Sequence, residues 1–297
     1  PFYRLVHAEA DGLPGLVIDR FGDVAVMQPN AAWADRMAGE IAGALVEATD
    51  VATVILNGQG RSRGLEGLTE RTEVVLGPAP DAPVPVVMNG ATYMADLMGG
   101  QKTGLFYDQR PNHAFTQSLA AGLSVLDVFS HVGGFALAAL AAGATGAVCV
   151  DGSAPALDLA AGGAAAMGMA DRLETRQSDA FKAMEAMAEE GRHFDLVICD
   201  PPAFAPSKPA LEAGLRAYER VAKLAAPLVA PGGYLVLCSC SHAADLTAFR
   251  NVSARGIGRG GRRGVLIHVG QAGPDHPVLP QLAETGYLKA LFFRLDG

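Results

Sequence analysis

The sequence predicts an α/β protein: a mostly parallel sheet covered on both faces, preceded by a small α+β domain. Three observations predict it. Short apolar runs at 124–129, 147–150, 173–176, 196–199 and 234–238 alternate with Ala-rich segments of helical character. Apolar strands separated by helices read as βα units, whose strands pair in parallel and are buried on both faces. The strands also end alike, in an acid or a glycine-rich turn, and the clearest case is Asp195-Leu196-Val197-Ile198-Cys199-Asp200-Pro201-Pro202. There two prolines forbid continuation and leave a carboxylate at the carboxyl edge, where open α/β sheets bind ligands. Finally, residues 1–97 lack this alternation.

In the first part, Leu16 to Asp19 and Val24 to Gln28 flank Arg20-Phe21-Gly22-Asp23 and read as a hairpin. Ala31 to Glu47 has the spacing of one helix, and Thr53 to Leu56 reads as a strand. Pro78, Pro80, Pro83 and Pro85 stiffen the chain before a second hairpin. That hairpin joins Val84 to Met88 and Thr92 to Leu97 through Asn89-Gly90, a dipeptide suited to the positive φ angles of a tight turn. The expected boundaries are 1–97 for the small domain, 98–112 for a connecting cofactor loop and 113–297 for the α/β domain. In the last of these, Gly232-Gly233 is expected to close a helix before the fifth strand. Leu266 to Val269 and Leu288 to Arg294 are expected to pair antiparallel at the sheet edge. No internal repeat is found.

Composition narrows the function. Half of the 297 residues are apolar, enough for a sizeable core. The longest weakly polar run, Phe135 to Val150, is broken by Gly143 and Gly146 and falls short of the ~20 residues of a membrane helix. No signal-peptide pattern opens the chain, so a cytoplasmic protein with no membrane partner is expected. The first methionine is Met27, so further N-terminal sequence is expected to precede Pro1. A net charge of −8 argues against a general nucleic-acid coat and for local basic patches. Cys149, Cys199, Cys238 and Cys240 form no Cys-x-x-Cys pair and have no histidine at ligand spacing, so no metal is expected. Most are expected to be small buried residues in a reducing compartment.

The first βα turn, Asp127-Val128-Phe129-Ser130-His131-Val132-Gly133-Gly134-Phe135, lets the backbone approach a ligand at a helix N-terminus. It matches neither Gly-x-Gly-x-x-Gly nor a P-loop, which disfavours a pyrophosphate cofactor. Asp151 ends the second strand about 20 residues on, where an acid suits ribose hydroxyls. Asp179 follows the third strand and Asp200 the fourth. Each acid alone also reads as a helix N-cap; four successive strand ends of this kind do not. A cationic, ribose-bearing ligand without pyrophosphate points to S-adenosylmethionine.

On these motifs the chain resembles the class I methyltransferases that make 5-methylcytosine in large-subunit ribosomal RNA. The stretches carrying the resemblance are residues 9–19, Lys102 to Arg110, Asp127 to Phe135, Asp200-Pro201-Pro202-Ala203-Phe204, Ser239-Cys240-Ser241 and Asp275-His276-Pro277. It implies a Rossmann-like domain with a mostly parallel seven-stranded sheet. It also implies that Phe129, Ser130, Gly133, Gly134 and Phe135 wrap S-adenosyl-L-methionine, with Asp151 on its ribose and Asp179 facing its adenine amino group. Asp200 with Pro201 would sit near its ammonium, and Thr103, Gln109 and Arg110 would close over it. Cys240 is the expected nucleophile, adding to carbon 6 of cytosine so that carbon 5 can accept a methyl group, with Asp200 assisting at the ring nitrogen. A helix starting just after Cys240 would favour its thiolate.

Phe204 is a candidate for stacking on a flipped base or, equally, a core aromatic. Lys208 is a candidate to replace a lysine that relatives carry where this chain has Ala203. Arg255 and Arg259, with Arg262 and Arg263, lie in a glycine-rich stretch that reads as a flexible basic segment able to track phosphates, extended by Arg61 and Arg63. Many relatives carry an N-terminal PUA domain, and this sequence begins after where it would end. Ribosomal RNA is the expected partner, and a homodimer is left open. Two other readings stay open: a guanine methyltransferase of the same fold, and a ribosome-assembly factor without turnover.

Overall fold

A computed structural model describes residues 1–100, 103–282 and 285–297, with the side chains of 61 and 62 left aside. The chain divides into two compact units. The first holds Pro1–Met88, Met94–Asp108 and Gly273–Leu282; the second holds Asn89–Tyr93, Gln109–Ala272 and Ala283–Gly297.

The first unit contains a five-stranded mixed sheet in the order β1 (Phe2–His7), β2 (Leu16–Phe21), β3 (Val24–Pro29), β4 (Thr53–Asn57), β5 (Thr72–Leu76). Only β3 and β4 pair in parallel. The expected single helix is two, α1 (Ala32–Arg36) and α2 (Ala38–Thr49), because Met37 sits at φ −96°, ψ 16°, outside the helical well. Ala34, Ala38, Ala42 and Leu45 from this pair pack on Leu16, Ile18, Met27, Val54 and Leu56 of the sheet. A short helix α3 (Arg61–Leu65) follows β4. The segments β6 (Val84–Met88) and β7 (Ala91–Ala95) form the Asn89-Gly90 hairpin, with φ +52° and +74° at the turn.

The second unit is the predicted α/β layer structure. Its sheet runs β10 (Leu173–Gln177), β9 (Gly146–Asp151), β8 (Ser124–Val128), β11 (Phe194–Cys199), β12 (Val229–Ser239), β14 (Lys289–Leu295), β13 (Gly264–Gly270). The first five strands are parallel, and β14 pairs antiparallel with both β12 and β13. Strand order reverses between β8 and β11, which makes that junction the topological switch point.

One sheet face, with Leu126, Val150, Val197, Cys199, Leu237 and Phe293, is closed by residues of α7 (Ala180–Glu189), α8 (Leu211–Ala225) and α9 (Leu246–Arg259). On the other face lie α5 (Gly134–Ala141) and α6 (Ala154–Ala166), with Gly133, Ala160 and the Cys149 thiol in close contact. Helix α4 (Arg110–Ala120) packs on α5. Gly232 and Gly233 do not end a helix. They lie in a bulge inside β12, where the register with β11 jumps between Phe194 and Leu196.

Among the described residues no helix is long and apolar enough to cross a membrane.

Candidate functional site

The turn after β8 carries unusual backbone. Phe129 (φ +64°), His131 (φ +49°) and Gly133 (φ +77°) are all left-handed within five residues. Two of them are not glycine, and such conformations cost about 1–3 kcal/mol each, so the surrounding structure must enforce them. The enforcement is visible. Asp151, at the end of β9, accepts the His131 amide (2.8 Å) on one oxygen and the Ser153 amide (2.9 Å) on the other. The Ser130 amide donates to the Val150 carbonyl (3.1 Å). The turn is thus lashed to the neighbouring strand end, with Gly133 as N-cap of α5.

Asp127 is the residue that sequence reasoning missed. It is fully buried on β8, and one oxygen accepts the Ala136 amide (2.9 Å) in the first turn of α5. Among the described residues its Oδ1 has no hydrogen-bond partner of good geometry, although the Phe135 amide as well as that of Ala136 favours the ionised form. Burial, reinforced by the charges of Asp200 and Asp151, pushes its carboxyl up to about 7. An acid amid Val125-Leu126 and Val128 was the available signal, since a carboxylate inside a buried strand is costly unless something compensates it.

Asp200 follows β11 directly, its amide bonded to the Val128 carbonyl (3.2 Å). Gln109 Nε2 donates to Asp200 Oδ2 (2.9 Å), and Asn112 Nδ2 donates to Gln109 Oε1 (2.6 Å). Gln109 therefore orients the acid, and Asn112 orients Gln109. Asn112 was also missed, because a buried amide on an otherwise ordinary helix leaves no pattern. Tyr93 and His113 support the turn from behind: Tyr93 Oη donates to the Gly134 carbonyl (3.1 Å), and the His113 ring meets Phe135 edge-on.

The remaining predicted positions divide. Phe129 and Phe204 face each other with Phe181, ring centres 6.2–6.4 Å apart, beside the strand ends. Phe204 also packs against Tyr218 at 5.0 Å, so it belongs in part to the core. Phe135, Ser130 and Pro201 are buried, and Arg110 opens α4 half-buried. Asp179 is an exposed N-cap, accepting the Lys182 amide (3.0 Å). Lys208 is exposed at the start of a short 3-10 turn. Thr103 lies in the first unit, where its hydroxyl donates to Asp19 (2.5 Å).

Several expectations need correction. The stretch holding Arg255 and Arg259 is not a flexible basic segment. Both arginines sit on α9 and bond Glu219 of α8. Close packing of the two helices through Gly256, where a Cβ would lie 2.5 Å from the Glu219 carbonyl, fixes them there. Arg262 bonds the Val229 carbonyl (2.6 Å), and Arg263's amide bonds Asp296 (3.0 Å). Arg63 is buried, with guanidinium bonds to the carbonyls of Pro29 (2.5 Å) and Thr69 (2.8 Å) and an ion pair to Asp35 (2.9 Å). It is not available to phosphates. The side chain of Arg61 lies outside the described residues.

Cys240 follows the last residue of β12. It alone of the four cysteines is partly exposed; the other three are buried, and burial raises their thiols well above the ordinary range. No helix starts directly after it, since α9 begins at Leu246. The loop is held otherwise. Ser241 Oγ bonds Tyr218 Oη (2.6 Å) and accepts the Ala205 amide (2.9 Å), and the Ser241 amide donates to Ser239 Oγ (3.3 Å). Ala205 lies just after the Asp-Pro-Pro stretch, so one hydroxyl couples the loops of Asp200 and Cys240. No group of three or more His, Cys, Asp or Glu side chains able to hold a metal occurs among the described residues.

A buried acid at the switch point, a second acid at the neighbouring strand end and a strained turn between strand and helix together suit a ligand that carries positive charge. S-adenosyl-L-methionine, which carries a sulfonium and an ammonium, suits such a pair of acids. The chain belongs to the S-adenosylmethionine-dependent methyltransferase family, whose profile matches residues 58–294. Its cofactor is S-adenosyl-L-methionine.

Among curated proteins it is similar to the ribosomal RNA large subunit methyltransferase I of Aeromonas salmonicida, 37% identical over 294 residues, 98% of this chain and 74% of that protein. The protein of that name from Photobacterium profundum is 39% identical over 293 residues, 97% of this chain and 72% of its own. The fold is shared with a methyltransferase crystal structure complexed with SAH (TM-score 0.85, 21% identity, 98% of this chain and 74% of that one). An Agrobacterium tumefaciens SAM-dependent methyltransferase aligns with TM-score 0.67 at 21% identity, over 99% of this chain and 90% of that one.

Proposed function

We propose that this methyltransferase forms 5-methylcytosine in large-subunit ribosomal RNA through a covalent adduct with Cys240. The names of its relatives support the substrate. The observation that carries the chemistry is Cys240 itself, the partly exposed thiol one strand from Asp200 at the carboxyl edge of the sheet.

Carbon 5 of cytosine is a weak nucleophile. Addition of the Cys240 thiolate to carbon 6 forms an S–C6 bond and moves the C5=C6 electron pair toward carbon 5. Asp200 holds a proton at the ring nitrogen, which takes up the displaced charge. When bound, S-adenosyl-L-methionine supplies an electrophilic methyl group. Once carbon 5 has bonded the methyl carbon, with the cofactor's sulfur leaving as a neutral thioether, a water molecule takes the carbon 5 hydrogen as a proton, and that C–H electron pair restores the double bond and expels the thiolate. The cofactor-facing roles fall to the 129–135 turn, Asp151 and Asp127, with Gln109 and Arg110 at the entrance to α4. Asp179 is kept as a cofactor contact, and Phe204 and Lys208 as contacts to the base and its strand.

The test is nucleoside mass spectrometry on ribosomal RNA incubated with the protein and with Cys240→Ala. New 5-methylcytosine that disappears in the variant is expected. Methylated guanine instead, or full cytosine activity in the variant, sinks the proposal.

A further inference from the structure

We propose that Lys289 is a positioning residue that holds the Cys240 loop and biases the Cys240 thiol toward its thiolate. This rests on the reading of Cys240 as nucleophile.

Lys289 is the first residue of β14 and pairs directly opposite Ser239, the residue before Cys240. Its side chain is 7% exposed. The ammonium donates to the carbonyls of Ser241 and Ala244, both at 2.7 Å, so it reaches across the segment that carries the thiol. An ammonium has three N–H groups, and those two bonds use two of them. Its charge acts on Cys240 and on Asp245, while burial opposes that charge.

Other titratable groups face this segment among the described residues. Tyr218 comes from α8 and interacts with Cys240, Asp245 caps α9, and Asp200 follows β11. His242 is an exposed neighbour on the loop. Among the described residues, Lys289 is a cation bonded into the Cys240 loop on both sides of His242, placed to offset a thiolate formed there. A buried ammonium is a costly way to hold a loop that backbone bonds could hold, and the cost is intelligible where a negative charge must form. This device takes the place of the helix N-terminus that the loop lacks, because a nearby lysine lowers a thiol pKa as a helix end does.

The experiment follows alkylation of Cys240 by iodoacetamide from pH 5 to 10 in the full chain, read by peptide mass spectrometry. Lys289→Met should move the midpoint up by at least about one unit and slow the reaction at pH 7 about tenfold. Lys289→Arg, which keeps the charge, should restore much of the wild-type profile. An unchanged midpoint in Lys289→Met overturns the proposal. If the variants unfold, alkylation of Cys149, Cys199 and Cys238 reports it, and the wild-type midpoint then decides. A value well below the ordinary ~8.5 supports the proposal, and one at or above it overturns it. Methyl transfer is not needed for this readout. Full activity of Cys240→Ala would remove the covalent mechanism while leaving the thiol's midpoint measurable.

Discussion

Asp19 in the first unit and Asp127 in the second are both fully buried acids, and they are compensated in opposite ways. In the first, Arg4 meets Asp19 at 2.6 Å and Arg63 meets Asp35 at 2.9 Å, with Thr103 completing the shell of Asp19. In the second, Asp127 is sealed in the sheet with an orphan oxygen and the charges of Asp200 and Asp151 nearby. Paired buried charge serves architecture, and uncompensated buried charge marks the place where a ligand completes the structure.

Four measurements can break or sharpen this contrast. The largest effect is on chemistry: Cys240→Ala should lower methyl transfer to cytosine by at least about a thousandfold while cofactor affinity in calorimetry changes little. Retained affinity separates the reacting edge from the cofactor cradle. Next, Arg63→Ala leaves the buried carbonyls of Pro29 and Thr69 without their donor and Asp35 with Arg71 alone, and should cost about 3–5 kcal/mol in denaturant titration. It should leave S-adenosyl-L-methionine affinity within about twofold. A large loss of affinity would show that the small unit is not merely architectural.

Asp127→Asn is expected to do the reverse. The carboxyl lies near 4 when unfolded and about 7 when folded, so its contribution to stability is present below pH 4 and lost as pH rises through 7. Without cofactor, the variant should gain on the wild type over that window, by up to about 4 kcal/mol, and bind the cofactor less tightly. Thermal melts from pH 4 to 8, with and without the cofactor, check both parts; a variant less stable at pH 7 would contradict the account. The smallest effect belongs to His7, in the paired unit. Burial, Arg4 and His276 lower it to about 4, so neutral His7 stabilises above pH 6.5 and that contribution is lost as pH falls through 4. Because the ring is only half buried, about 1–2 kcal/mol is expected, seen as a smaller acid loss in His7→Gln.

What could be read in the sequence was whatever leaves a periodic or terminal mark. The parallel strands, the Asn89-Gly90 hairpin and the strand-end acids all do so, because apolar runs and turn residues are local. The division of charge was not legible. Arg255 and Arg259 look like a basic tract among glycines, yet those glycines allow α9 to approach α8 and deliver both arginines to Glu219. Arg63 reads as a surface cation and is a buried strut. Lys289 lies in Tyr287-Leu288-Lys289-Ala290-Leu291, where only antiparallel pairing with β12 gives its position meaning. Such facts depend on partners distant in sequence, and one sequence alone does not supply them.

The Ser241 hydroxyl has a mechanical consequence. It touches both Tyr218 and the Ala205 amide, and Gly214 of α8 leaves no room between helix and loop, since a Cβ there would lie 2.6 Å from that of Ala205. The loops after the fourth and fifth parallel strands are riveted at one point to the same helix. That shared contact is expected to couple displacements of the two loops. A nudge to α8 from its outer side would shift the acid and the thiol in step and preserve their spacing, so the pair behaves as a single tool on one handle.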